Sequence, residues 1–141
     1  MPSSKIMQDR VRAIIIEGDK VLLMHRVKTD REYWAFPGGG IEERESHQDA
    51  LIRECKEELG VDVDVGELFS EEAFDSFGNP TAKQSFYLCK IVGGKVGTGM
   101  GPENSRDPQV WGTYEVEWVP LSKVEDMNVL PESVKEKVLK F

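Results

Sequence analysis

The order of hydrophobic and polar positions predicts the elements of this chain before any motif is considered. Arg10 to Ile16 reads as a strand, Glu17-Gly18-Asp19 as a tight turn, and Lys20 to Arg26 as the hairpin partner, with Val21, Leu22, Leu23 and Met24 buried. A short loop, Val27 to Arg31, follows. Trp34 and Phe36 flank Ala35, so in a strand both rings fall on one face; core packing accounts for them more simply than a shelf for a stacked base. Leu51, Cys55 and Leu59 recur at i, i+4 and i+8, the stripe of a helix docked on a core. Ser46 with Asp49 three residues later has capping-box spacing, and Gly60 suits a left-handed C-terminal cap. Val61, Val63 and Val65 then alternate with Asp62 and Asp64 as a half-buried strand. Phe69 to Phe77 is less regular, Gly78-Asn79-Pro80 reads as a turn, and Lys83 to Val92 is apolar enough for a central strand. Tyr114, Val116 and Trp118 mark a last strand over Thr113 to Val119, and Pro120-Leu121-Ser122 begins a short helix. Pro131 starts the final helix, with Val134, Val138 and Leu139 on its inner stripe. Strands interrupted by one central and one or two terminal helices predict an α/β sandwich with a mixed sheet.

The candidate chemistry lies on the central helix. At 100° per residue Glu54, Glu57 and Glu58 fall within about a 100° arc, where their carboxylates converge. On an arbitrary helix such a trio is a solvated acidic face, since Glu is a good helix former. Here it follows Pro37 and the run Gly38-Gly39-Gly40, in a chain of 13 glycines, and consecutive glycines suit backbone that approaches a ligand closely. Three carboxylates beside such a turn make a hard-oxygen site suited to Mg²⁺ or Mn²⁺ carrying substrate phosphate.

Pro37-Gly38-Gly39-Gly40-Ile41-Glu42, leading into Glu45 and Arg53-Glu54-Cys55-Lys56-Glu57-Glu58-Leu59-Gly60-Val61, resembles the Nudix box, running from Gly39 to Val61 with every fixed position filled. Cys55 stands where the family usually has an aliphatic residue, and a buried free Cys behaves as a small hydrophobe. The resemblance implies one Nudix hydrolase domain over residues 1–141, folded as an α/β/α sandwich around a mixed β-sheet. It implies cleavage of the pyrophosphate link of a nucleoside diphosphate joined to another group, with Mg²⁺ or Mn²⁺ as cofactor. By position, Glu54, Glu57, Glu58 and the Gly38 carbonyl would be metal ligands. Glu54 is also a candidate for positioning or deprotonating the attacking water, and Arg53 and Glu45 would orient the carboxylates. Phosphoryl transfer needs positioning and charge neutralisation rather than a covalent nucleophile, and His25 and His47 form no clear Cys-His constellation with Cys55 or Cys89.

Composition narrows the reading further. A length of 141 residues with 39% hydrophobic content is enough for one core. The absence of a long apolar run and of a secretory leader gives no address to a membrane or to export, so a cytoplasmic protein is expected. A net charge of −8 disfavours a general nucleic-acid surface but not a small-molecule nucleotide substrate, because bound metal inverts the charge that phosphates meet. Gly93 to Pro102, continued by Glu103 to Trp111, reads either as a solvated loop or as a lid. Glu103, Arg106 and upstream Arg26 are candidate substrate contacts, as are Lys83 and Gln84; for each, an exposed strand-end or loop side chain is the plainer alternative. Ser76 and Phe77 stand where ADP-ribose enzymes carry a proline and dinucleoside polyphosphate enzymes a tyrosine slightly further on, and the signatures of NADH and coenzyme A enzymes are absent. Elimination leaves a nucleoside triphosphate. The competing classes are a non-catalytic nucleotide sensor, which would have lost a metal carboxylate, and an isoprenoid diphosphate isomerase, which would want a reactive cysteine. Nudix proteins of this size are often homodimers.

Overall fold

The computed structural model describes residues 9–28, 30–76, 79–97 and 113–141. Their elements run β1 (Arg10–Glu17), β2 (Lys20–Lys28), β3 (Arg31–Ala35), β4 (Gly38–Gly40), α1 (His47–Leu59), β5 (Val61–Ser76), β6 (Asn79–Gly94), β7 (Thr113–Pro120), α2 (Leu121–Val124), β8 (Val129–Leu130) and α3 (Glu132–Leu139). The sheet is mixed: its central path is β5-β6-β1-β2-β3-β8, with β4 beside β1 and β7 beside β2. β1 runs parallel to β6 and β3 parallel to β8, the other pairs being antiparallel.

Alternation along the strands sends side chains into two cores. Val11, Ala13 and Ile15 of β1 and Leu22 and Met24 of β2 pack with Ala50, Leu51, Cys55 and Leu59 of α1. Ile14, Val21 and Leu23 point the other way and meet Val124, Val134 and Val138 of α2 and α3. Four consecutive buried residues in β2 are therefore a strand covered on both faces. This is the expected α/β/α sandwich.

β1 and β2 join at Ile16↔Val21 and Glu17↔Lys20 and then part. The first half of β1 lies between β4, by Arg12↔Gly38, Val11↔Gly39 and Arg10↔Gly40, and β6, by Arg10↔Gln84 and Arg12↔Phe86. That split brings the glycine run against β1.

Several boundaries differ from the sequence reading. The loop expected over Val27 to Arg31 contracts, because Val27 pairs Glu32 and Lys28 pairs Arg31; exposed side chains hide strands whose backbones still pair. β5 continues through the irregular Phe69 stretch to Ser76, with register shifts between Val65/Leu68, Leu68/Ser70 and Phe74/Ser76. Each such bulge breaks the two-residue period by which a strand is recognised. Leu139 is 37% exposed and so lies off the inner stripe that Val134 and Val138 form. No helix among the described residues is long and apolar enough to cross a membrane.

Candidate active site

The helix α1 carries the acidic residues, and its ends follow the sequence. The Ser46 hydroxyl accepts from the Asp49 N–H at 3.0 Å, and Gly60 closes the helix at φ 80°. Rotation of the Leu51-Cys55-Leu59 stripe into the core turns Glu54 and Glu58 inward beside it, leaving them 8% and 5% exposed. They are not a solvated face. Burial of two carboxylates demands compensation, and the glycine run and Arg53 supply it.

Gly38 donates its N–H to Glu58 Oε1 at 3.1 Å. A side chain at Gly38 would put Cβ 2.0 Å from the Val11 carbonyl oxygen, and at Gly39 within 2.6 Å of the Glu54 carboxylate. Arg53 makes five hydrogen bonds: to both oxygens of Glu45 (2.7 and 2.9 Å), to Glu54 Oε2 (3.0 Å), to Glu57 Oε1 (3.1 Å) and to the Gly40 carbonyl (2.9 Å). Its planar fork suits that arrangement as Lys could not. The Arg53 hydrogen bond holds the Glu45 carboxyl below its ordinary range, and Glu45 in turn holds the guanidinium above its own. Glu45 also accepts from the Glu42 N–H at 2.9 Å, which ties the loop before α1 to the same centre.

The donor set fits a hard divalent cation: the inward-turned Glu54 and Glu58, Glu57 beside them through Arg53, and a glycine backbone against which no Cβ intrudes. Soft ligands are excluded, because Cys55 is fully buried in the α1 core and desolvation pushes its thiol pKa well up. Burial likewise pushes Cys89 up to about 12. Neither is a nucleophile at neutral pH. Among the described residues, the group of three side chains that places ligand atoms within 4.8 Å of one another is a different one, His25 with Glu115 and Glu117 on the β2–β7 surface. His25 there is engaged by Glu32 at 2.5 Å and stacked on Trp34 at 4.2 Å, away from the box residues.

On the other side of the glycine run lies a cavity of about 220 Å³, with Arg10, Arg12 and Arg31 and the rings of Tyr33, Phe36 and Phe86 in its wall, together with Gln84 and Pro131. Arg12 joins the two regions. Its Nη1 donates to the Phe36 carbonyl at 3.0 Å and, at a long 3.4 Å, to Gly38 O, while its Nε donates to Gln84 Oε1 at 2.9 Å. Burial lowers the Arg12 pKa, opposed chiefly by the nearby charge of Glu58.

Of the residues the sequence singled out, the structure gathers Glu45, Glu54 and Glu57 on Arg53 and sets Glu58 on the Gly38 N–H, but Glu54, Glu57 and Glu58 do not bring a ligand atom each within 4.8 Å of the others. Sequence reasoning missed Arg10, Arg12, Arg31 and Tyr33. The available signal was Arg10 and Arg12 alternating with the apolar Val11 and Ala13 in a strand whose neighbours are covered on both faces. Phe36 is both core, edge-on to Phe86 at 5.8 Å, and cavity wall, whereas Trp34 packs on His25. Arg26 lies outside the cavity, 6.0 Å from the Tyr33 ring, and Lys83 turns to Glu71 at 3.8 Å. Glu103 and Arg106 lie outside the described residues, as does most of the glycine-rich loop.

A family profile described as the NUDIX domain matches residues 7–138. The chain is similar to the CTP pyrophosphohydrolase of Escherichia coli (strain K12), at 46% identity over 59 residues, 40% of this chain and 44% of that protein. It is 32% identical over 130 residues to the RNA pyrophosphohydrolase of Teredinibacter turnerae, covering 81% of this chain and 74% of that one. The first of these matches thus spans less than half of its relative. Among solved structures, a NUDIX hydrolase from Nitrosomonas europaea superposes with a TM-score of 0.71 at 18% identity, over 93% of this chain and 85% of the other, which shows the shared fold.

Proposed function

The chain belongs to the NUDIX domain family, and from that premise we propose that it is a divalent-metal-dependent pyrophosphohydrolase acting on a nucleoside diphosphate linked to another group, with a nucleoside triphosphate as substrate. The observation that carries this reading is the Arg53 fork, which gathers Glu45, Glu54, Glu57 and the Gly40 carbonyl around the glycine run while Gly38 anchors Glu58. A solvated acidic face would have no need of it.

Glu54, Glu57, Glu58 and the Gly38 carbonyl would hold Mg²⁺ or Mn²⁺, which supplies charge neutralisation at the phosphates and a lowered pKa for bound water. Arg53 and Glu45 keep the carboxylates aimed. Glu54, the more buried of the two carboxylates on Arg53 Nη1, is the group to position the attacking water. The cavity beyond Gly38 takes the base: aromatic rings line it, and its volume is well under the ~300–1,000 Å³ of pockets that enclose whole drug-sized ligands, so it suits one ring system with the phosphates outside, toward the carboxylates. Intact metal carboxylates count against a non-catalytic sensor, and buried Cys55 and Cys89 against an isomerase.

The RNA pyrophosphohydrolase relative, matched over most of this chain, favours one further reading, in which the triphosphate is the 5′ end of an RNA. Product chromatography after incubation with Mg²⁺ and a panel of nucleoside triphosphates, nucleotide sugars, ADP-ribose, dinucleoside polyphosphates and a 5′-triphosphate oligoribonucleotide decides between them. Cleavage of free triphosphates at a pyrophosphate, lost by at least ~10²-fold in Glu57→Gln, is the expected result. Cleavage of the oligoribonucleotide alone selects the RNA reading. Failure of the whole panel removes the hydrolase assignment.

A further inference from the structure

The geometry points to Gln84 as the residue that selects the base, and to Arg12 as the residue that positions it: together they favour nucleobases with an exocyclic carbonyl over those with an amino group at the same ring position. This inference rests on the nucleotide reading above and narrows it.

A glutamine amide can present either end to a ligand, and here the choice is made by chemistry. Arg12 Nε lies 2.9 Å from the Gln84 carboxamide, and a guanidinium has five donors and no acceptor. The carbonyl oxygen Oε1 must therefore face Arg12. Arg12 cannot swing away to release it, because its Nη1 is held by the Phe36 carbonyl at 3.0 Å. What Gln84 has left for the cavity is its Nε2 amino group, a double donor, for which the described residues provide no protein acceptor.

The rest of the wall reinforces the bias. Arg10, Arg12 and Arg31 offer only donors, and among the described residues no carboxylate lines the cavity, the Tyr33 hydroxyl being able to donate as well as accept. A base that turns O6 of a 6-oxopurine or O4 of uracil toward this wall completes a hydrogen bond. Adenine N6 or cytosine N4 brings a donor against a donor and leaves both unpaired, and an unmade hydrogen bond is the larger penalty. The same chemistry underlies the pairing of arginine with the carbonyl edge of guanine. The short match to the CTP pyrophosphohydrolase covers only 40% of this chain and does not oppose this preference.

The test uses calorimetric binding of nucleoside monophosphates, which needs no turnover, beside kcat/KM for the matching triphosphates. Wild type should bind UMP over CMP and GMP over AMP by about tenfold. Gln84→Glu keeps one oxygen for Arg12 and turns the other, an acceptor, to the cavity, so both orders should invert. Gln84→Met should bring each pair to near equality. Arg12→Lys, which loses the two-point hold, should shrink the ratio without inverting it, a change that a merely structural role would not produce. If the orders appear and invert but no triphosphate is cleaved, base selection stands and the hydrolase reading falls alone. If triphosphates are cleaved while wild type shows no preference for the carbonyl bases, or Gln84→Glu keeps the wild-type order, base selection is overturned and the hydrolase reading survives. If no nucleotide binds, both fall.

Discussion

Arg53 has five N–H groups and all of them are used inside the site. Its partner Glu45 is largely buried, and its pKa is held below the ordinary carboxylate value of 4.5. A carboxylate depressed in the folded state stabilises the fold fully above its unfolded pKa, and that contribution is lost as pH falls through the folded value. Glu45→Gln should therefore cost about 1.5–3 kcal/mol at pH 7, and the difference from wild type should close below pH 4.5. Melting curves collected from pH 7 to pH 3 check this; a gap that stays constant with pH would show that the charge on Glu45 is not what matters. Helical spacing on one arc singled out Glu54, Glu57 and Glu58 in the sequence, whereas Arg53 and Glu45 were indicated only by the resemblance to the Nudix box. Arg12 was not legible, because nothing in a single strand reveals that a charged side chain faces a cavity lined by Phe36 and Gln84 from elsewhere in the chain.

Among the elements, the three-residue β4 is tightly constrained. Gly38 sits at φ 146° with the Val11 carbonyl where a Cβ would stand, whereas at Gly39 the atoms nearest a Cβ are those of the Glu54 carboxylate. The two adjacent glycines should respond differently to alanine. Gly38→Ala should fail to yield folded protein or lose several kcal/mol, because backbone must move. Gly39→Ala should keep a melting temperature near wild type while activity falls by at least about tenfold, since a displacement of about 1 Å at a catalytic group can cost 10²-fold. Circular dichroism melts beside activity separate the cases, and equal destabilisation of both would refute the distinction. A run of three glycines announces close approach in the sequence. That it forms a strand against β1 is invisible there, since glycine carries no strand propensity. The start of β5 was read from the alternation of Val61, Val63 and Val65, but its continuation to Ser76 was not, because of its bulges, while α1 was read correctly from stripe and caps, both local.

At the scale of the whole molecule, one sheet separates a core under α1 from a core under α2 and α3, and the carboxylates and the cavity flank the glycine run between them. Ligands that bind only the folded state raise its stability by mass action. Mg²⁺ or Mn²⁺ should accordingly raise the melting temperature of wild type, and raise that of Glu57→Gln less, by scanning fluorimetry without substrate. Equal shifts would place the metal elsewhere, with the His25, Glu115 and Glu117 group as the first site to examine. The layered architecture was legible from the order of patterns, because runs buried on both faces require covers on both. The strand order was not, since β1 pairs in parallel with a strand far along the chain. That pairing sets a schedule for synthesis. Arg12 and Gln84 are 72 residues apart, so a ribosome adding ~5–20 residues per second releases the first of them roughly 4–14 s before the second. Until then the start of β1 lacks the strand with which it pairs in parallel.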